Sequence, residues 1–158
     1  MSAMSASVTV RVDAPPEVVY ALIADVARMG EWSPECVSCE WLDEPGEVGS
    51  RFRGHNRRGL ARWSTTAKVV AATPGREFAF TTAHRGREST RWRYQLRPID
   101  DGTEVTESFD AVFIPTALRA FERIFMPNRR AQLEAGMTAT LERIKATAEA
   151  TEARDADR

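Results

Sequence analysis

Residues 91–113 read RWRYQLRPIDDGTEVTESFDAVF, two alternating runs on either side of an Asp-Asp-Gly. Successive side chains of a strand point to opposite faces, so every second residue shares a surface. One surface of the second run holds Val105, Glu107, Phe109, Ala111 and Phe113, and the matching surface of the first holds Trp92, Tyr94 and Leu96. The other surface carries Arg91, Arg93, Arg97, Glu104 and Asp110. An Asp-Gly pair between alternating runs is a strong hairpin signal. The stretch therefore predicts a hairpin with one charged face and one apolar face, and a single carboxylate stands on the apolar one. Such a group is costly to bury unless it is hydrated, paired or protonated. Glu107 thus raises the question of whether this face closes on a filled core or on a hollow.

Working outward, a two-residue Asp101-Gly102 turn sets Leu96 opposite Glu107, Tyr94 opposite Phe109 and Trp92 opposite Ala111. A two-residue Pro74-Gly75 turn sets Ala71 opposite Phe78, Val69 opposite Phe80 and Thr65 opposite His84. A three-residue loop at 85–87 sets Phe78 opposite Tyr94 and Phe80 opposite Trp92. All three turns agree on one inner face, although a one-residue slip in any of them would turn a strand inside out. That face is predicted in rows, Ala71–Phe78–Tyr94–Phe109 and Val69–Phe80–Trp92–Ala111, with Trp63 and Phe52 extending the aromatic lining. Glu107 falls in this register at the sheet end shared with the Pro74-Gly75 turn, where the second half of a returning helix should approach. Three readings stay open for it: an ion pair with Arg76 at a wet rim, a carboxyl group that holds or protonates a ligand, or a bulge that turns it outward.

The rest of the chain fits around this sheet. SVTVRVD (7–13) alternates as a strand, and DAPPEVVYALIADV starts a helix with Asp13 as its expected cap and prolines in the first turn. ARMGEWSPE reads as a short second helix or turn, in which Trp32 plugs the junction with the sheet. Strands follow at 36–42, 49–57, 61–72, 76–84, 88–97 and 103–114, separated by Gly-containing turns. Leu133, Met137, Leu141, Ile144 and Ala148 recur at helical spacing and mark a long C-terminal helix. Pro127 separates from it an apolar segment with Leu118, Phe121 and Phe125, either a lid or a passive cover on the sheet edge. This order, with helices on one face of an antiparallel sheet, is α+β in class. One domain over residues 1–150 is expected, with a polar tail over 151–158 that frays.

Bulk properties exclude several functions. The 158 residues carry a formal charge of −1, which gives no field to attract nucleic acid or an anionic membrane. The aromatic residues lie on the face opposite the arginines, so a stacking surface for bases is not expected. Cys36 and Cys39 form a CxxC, but no further pair of ligands completes a zinc site, and a strand places the two thiols on opposite faces. They read as ordinary thiols in a reducing compartment. MSAMSASV lacks the features of a signal peptide and no apolar run approaches a membrane span, so a cytoplasmic location without a membrane anchor is expected. GxSxG and a phosphate-binding glycine loop are absent. His84 is inward in the register and His55 outward, so they share no metal site; no metal or cofactor is expected.

The N-terminal DAPPEVVYALIADVARMGEWSPE, the RWRYQLRP and DGTEVTES strand pair and the closing GMTATLERIKATAE resemble the START-related superfamily. More narrowly they resemble its polyketide cyclase/dehydrase-like (SRPBCC) proteins, common in actinobacteria, over Val8 to Ala148. The resemblance implies a helix-grip architecture: a curved seven-stranded sheet around a long C-terminal helix, with a hydrophobic cavity between them. Similar members bind lipids, sterols, polyketides or other apolar molecules, and some cyclise or dehydrate them. Gly136 supports a cavity independently, because a mid-helix glycine costs about 1 kcal/mol relative to Ala and leaves the interior free of bulk.

Two functions follow as expectations. In the first, the chain binds an apolar small molecule in a pocket walled by Trp63, Phe78, Phe80, Trp92, Tyr94, Phe109, Phe113, Met137 and Leu141. Thr65, Thr82, His84 and Glu107 are then its polar points. In the second, it is a cyclase or dehydratase in which Glu107 or His84 moves protons beside a carbonyl and Tyr94 donates a hydrogen bond.

Overall fold

Six alternating runs follow one another as an antiparallel meander, five of them joined by short turns, and the free edge of the last is closed by the first strand of the chain. A computed structural model describes residues 4–125 and 127–158. The start of the MSAMSASV stretch, and the side chain of Phe125 in the apolar segment before the long helix, lie outside the described residues. The strands are β1 Met4–Val12, β2 Cys36–Trp41, β3 Arg51–Arg58, β4 Ala61–Thr73, β5 Glu77–His84, β6 Arg87–Ile99 and β7 Gly102–Ala111. They form one antiparallel sheet in the order β1-β7-β6-β5-β4-β3-β2. Helices α1 (Pro16–Ala24) and α2 (Met29–Trp32) link β1 to β2, and α3 (Thr116–Phe125) and α4 (Arg129–Ala156) follow β7. This is the helix-grip arrangement.

The register keeps the predicted faces of β5, β6 and β7, moves Ala71 of β4 to the outer face opposite Ala79, and corrects several partners. The β6–β7 turn consists of Asp100 and Asp101, so Tyr94 opposes Glu107, Trp92 opposes Phe109 and Leu96 opposes Val105. Asp100 takes the left-handed conformation at φ 38°, which Asp tolerates better than most residues. Gly102 serves a different need. A Cβ there would lie 2.5 Å from the Val12 carbonyl oxygen, so only glycine lets β7 start against the end of β1. Pairing shifts by two residues, which preserves the inner face and moves Glu107 from the sheet end into the middle of the row. Phe78 opposes Ala72 instead of Ala71, because the loop at 74–76 is one residue longer than a two-residue turn. A bulge between Val69 and Ala71 then restores Val69 opposite Phe80. The two-residue Arg85-Gly86 turn, both residues at positive φ, and a bulge near Thr82 together give the predicted pairing of Phe78 with Tyr94 and Phe80 with Trp92. Bulges bend and twist the strands that carry them, and three of these ladders contain one.

α4 lies across the concave face. Its second half is packed: Leu141, Ile144 and Ala148 are buried in one cluster with Val12, Val19, Ile23, Trp32, Phe78 and Val105. Polar anchors fix the same half, with Lys145 Nζ on the Arg11 carbonyl at 3.0 Å, Arg143 on the Trp32 carbonyl at 3.0 Å and the Asp13 amide on Glu149 at 3.0 Å. Asp13 is therefore not the cap of α1; Pro15 holds that position without a side-chain hydrogen bond. Trp32 fills the predicted junction at 3 % exposure. α4 runs to Ala156, and the Thr151 hydroxyl donates to the Thr147 carbonyl. On the outer face, Arg97 pairs with Glu104 and Arg91 with Glu88. Among the described residues no helix is long and apolar enough to cross a membrane.

Candidate functional site

The first half of α4 does not close on the sheet as the second half does. Leu133 and Met137 meet a small cluster with Ala6, Phe109 and Ala111. Beyond it lies a cavity of about 730 Å³, within the range of small-molecule sites at roughly 300–1,000 Å³. Phe52, Phe80, Trp92, Phe109 and Met137 form its apolar wall, and Thr65, Thr82, Thr90 and Thr140 add hydroxyl groups. Phe80, Trp92 and Met137 all border this space, with Trp92 packed between the two clusters that hold the other two. Gly136 also lines it, and a Cβ built there meets nothing within 4 Å. The more exposed lining residues mark the opening: Arg57, Arg58 and Gly59 at the β3–β4 hairpin, Leu118 and Glu122 on α3, and Pro34.

Glu107 sits on the cavity wall with 2 % of its surface exposed. The alternation of β7 points it inward, and the Asp-Asp turn sets it opposite Tyr94. Tyr94 donates its hydroxyl hydrogen to Oε1 at 2.8 Å, whereas Oε2 is buried without a protein partner. Burial pushes the Glu107 carboxyl up to about 8, against the opposing pull of the Tyr94 hydrogen bond. Near neutrality the protonated acid dominates, so this group can donate a hydrogen bond into the cavity. Burial and the neighbouring carboxyl also hold the Tyr94 hydroxyl well above its ordinary value. The rim pair with Arg76 does not form. Arg76 belongs to the β4–β5 turn, and Glu107 is mid-sheet beside the first half of α4.

Of the residues expected to shape a pocket, Trp63, Thr65, Phe80, Thr82, Trp92, Tyr94, Phe109, Met137 and Glu107 line the cavity. Four do not. Phe78 and Leu141 belong to the packed cluster at the other end of α4, since the apolar stripe of a long helix serves both ends. Phe113 lies beyond the end of β7, where alternation has stopped, with the Arg87 guanidinium 4.1 Å from its ring; Ile114 faces the cavity instead. His84 is exposed beside the Arg85-Gly86 turn and is not part of the cavity wall. His55 points outward as expected, with a ring nitrogen 2.9 Å from Ser64 Oγ.

Sequence reasoning missed two features. Glu35 bonds Arg129 of α4 at 2.7 Å and Arg58 of the β3–β4 hairpin at 3.2 Å, and so ties three segments at the opening. No motif announces such a pair. The second is the CxxC. A bulge at Val37 places Cys36 opposite Asn56 and Cys39 opposite Gly54, both on the inner face, with their sulfur atoms 3.4 Å apart. The motif was visible, but regular alternation put its thiols on opposite sides. Among the described residues no group of three or more His, Cys, Asp or Glu could hold a metal.

The family described as polyketide cyclase / dehydrase and lipid transport matches residues 3–149. No curated protein matches the chain. Among solved structures, the polyketide-cyclase-like protein Cgl2372 of Corynebacterium glutamicum is 33% identical, with a TM-score of 0.61 over 89% of this chain and 88% of its own. The Zhui aromatase/cyclase of a Streptomyces species, R1128, is 21% identical at a TM-score of 0.71, covering 92% and 93%. A START superfamily protein of Mycobacterium smegmatis is 15% identical at a TM-score of 0.70, covering 93% and 98%. The last two show likeness of fold.

Proposed function

This chain belongs to the polyketide cyclase / dehydrase and lipid transport family, and on that premise we propose that it binds an apolar small molecule, lipid-, sterol- or polyketide-like, between its sheet and α4. The observation that carries this reading is the Glu107–Tyr94 pair at the wall of the 730 Å³ cavity. An aromatic pocket with one buried, unpartnered oxygen has both a solvent-like interior for an apolar body and a fixed polar point to orient it. The neutral carboxyl would donate from Oε2 to a ligand carbonyl or hydroxyl. That bond would also supply the partner the oxygen lacks, which favours an oxygenated ligand over a pure hydrocarbon.

A second reading is favoured by the same carboxyl. An acid poised near 8 can protonate a carbonyl or a departing hydroxyl at neutral pH, as a cyclase or dehydratase acting on a poly-β-keto substrate requires. The Zhui aromatase/cyclase shares the fold. Native mass spectrometry of freshly purified protein tests the common premise: an oxygenated apolar molecule should travel with the chain. Glu107→Gln separates the two readings. A binder keeps affinity within roughly tenfold, the worth of one neutral hydrogen bond. A general-acid enzyme loses on the order of 10²–10⁴ in turnover at similar affinity. No co-purifying molecule, together with no uptake of oxygenated lipids or polyketides, would exclude both.

A further inference from the structure

The CxxC is left unexplained by either reading. Its bulge is a specific device: the extra residue, Val37, is 62% exposed, and the cysteines on either side both line the cavity together with Met29. Cys36 is 7% exposed and Cys39 is partly buried. The Cys39 sulfur lies 3.4 Å from that of Cys36 and 3.9 Å from Met29 Sδ. Gly54 lies across from Cys39 on β3, and a Cβ there would only touch the sulfur, at 3.5 Å. Two thiols in hydrogen-bond contact on the wall of a cavity need only about 1.4 Å of approach to reach the disulfide length of roughly 2.05 Å.

We propose that Cys36 and Cys39 form a reversible thiol–disulfide site on the cavity wall, oxidised by small hydroperoxides that enter through the opening. In this proposal Cys36 is the attacking sulfur and Cys39 the resolving one; contact with Cys39 lowers Cys36 from its ordinary value, and the same contact together with burial raises Cys39. With hydrogen peroxide the Cys36 thiolate attacks one oxygen, the O–O bond breaks, and the departing hydroxide takes up the proton that Cys36 released and leaves as water. Cys36 is then a sulfenic acid. Cys39 attacks the Cys36 sulfur, the S–O bond breaks, and the hydroxide leaves as a second water with the Cys39 proton. Two thiols and one hydrogen peroxide become one disulfide and two waters; the two sulfurs give up two electrons and the peroxide accepts them. A thiol or dithiol reductant reverses the change.

The test treats the reduced full chain, and its Cys36→Ser, Cys39→Ser and Cys39→Ala variants, with hydrogen peroxide. Intact mass and thiol alkylation follow the reaction, and circular dichroism checks folding. Wild type should lose two hydrogen masses without gaining oxygen, lose both alkylatable thiols and recover them with dithiothreitol. Cys39→Ser and Cys39→Ala should each stop at a single dimedone-reactive oxygen on Cys36. Cys36→Ser should react roughly tenfold or more slowly than the Cys39 variants, as expected when the more acidic thiol is removed. The proposal is overturned if wild type keeps two free thiols at peroxide concentrations that oxidise Cys39→Ser, if it gains oxygen on both sulfurs, or if only intermolecular disulfides form.

Discussion

At the level of single residues, Glu107 decides most of the chemistry. Its carboxyl is an ordinary acid near 4.5 in the unfolded chain and titrates at about 8 in the folded one. Between these values the unfolded state has lost a proton that the native state still holds. Stability is therefore fully present below about 4.5 and falls by roughly 1.4 kcal/mol per pH unit until the folded group ionises. Glu107→Gln keeps a neutral, hydrogen-bonding side chain and removes that slope. The difference in unfolding free energy between variant and wild type, from urea titrations at a series of pH values, should grow in the variant's favour from about pH 4.5 to 8 and then level off. A flat difference would mean that Glu107 is ionised in the native state. The place of Glu107 on the inner face was legible in the sequence; its partner was not. Alternation is a property of one strand, whereas pairing depends on which residues make the turn. Asp-Asp took the turn because Gly102 was needed against Val12.

At the level of elements, α4 and the segments that meet its first turn border the opening of the cavity. Gly136 meets no atom within 4 Å of an added Cβ, so Gly136→Ala should stabilise the helix by up to about 1 kcal/mol without disturbing the fold. Gly136→Phe places a ring in the cavity, and binding of an apolar fluorophore should then drop at least roughly tenfold while the far-ultraviolet circular dichroism stays unchanged. Glu35 sits one-third exposed between Arg58 and Arg129, an environment where ion pairs contribute about 0–1 kcal/mol. Glu35→Gln should accordingly change global stability little. Amide exchange should nevertheless quicken at the β3–β4 hairpin and the first turn of α4, because the contact that joins them is weakened. Uniform exchange rates in the variant would show that the two segments are held by other contacts. The helices and most strand limits were readable from periodicity, but bulges were not. An inserted residue such as Val37 leaves no mark in composition, and it changes which side chains share a face.

At the level of the whole molecule, the structure is divided into a solid end and a hollow one. Leu141 is enclosed by the cluster around Val12, Val19 and Phe78, whereas Met137 borders the cavity. Leu141→Ala should leave a new closed void and cost about 2–5 kcal/mol. Met137→Ala should cost less, toward about 2 kcal/mol, because it only enlarges a space that already exists, and it should admit bulkier probes. Equal losses in denaturant unfolding would contradict the division. This partition explains which expected pocket residues fell outside it. Phe78 and Leu141 have the same apolar character and the same spacing as true wall residues, and only the three-dimensional course of α4 separates the two sets. The charged outer face and the aromatic inner face were evident from the strands alone, since burial on one side of a sheet demands them.

The three polar anchors on the second half of α4 have a mechanical corollary. A rod clamped at one end and held by fewer contacts at the other bends most easily at its lightly held end. Here the clamp is Arg143, Lys145 and Glu149 against the carbonyl and amide groups of Trp32, Arg11 and Asp13. Swinging the tip of α4 outward would break no strand pairing, but it would part Arg129 from Glu35 and lift Leu133 and Met137 from Ala6, Phe109 and Ala111. Those few contacts, and not the sheet, are what such a bend would cost.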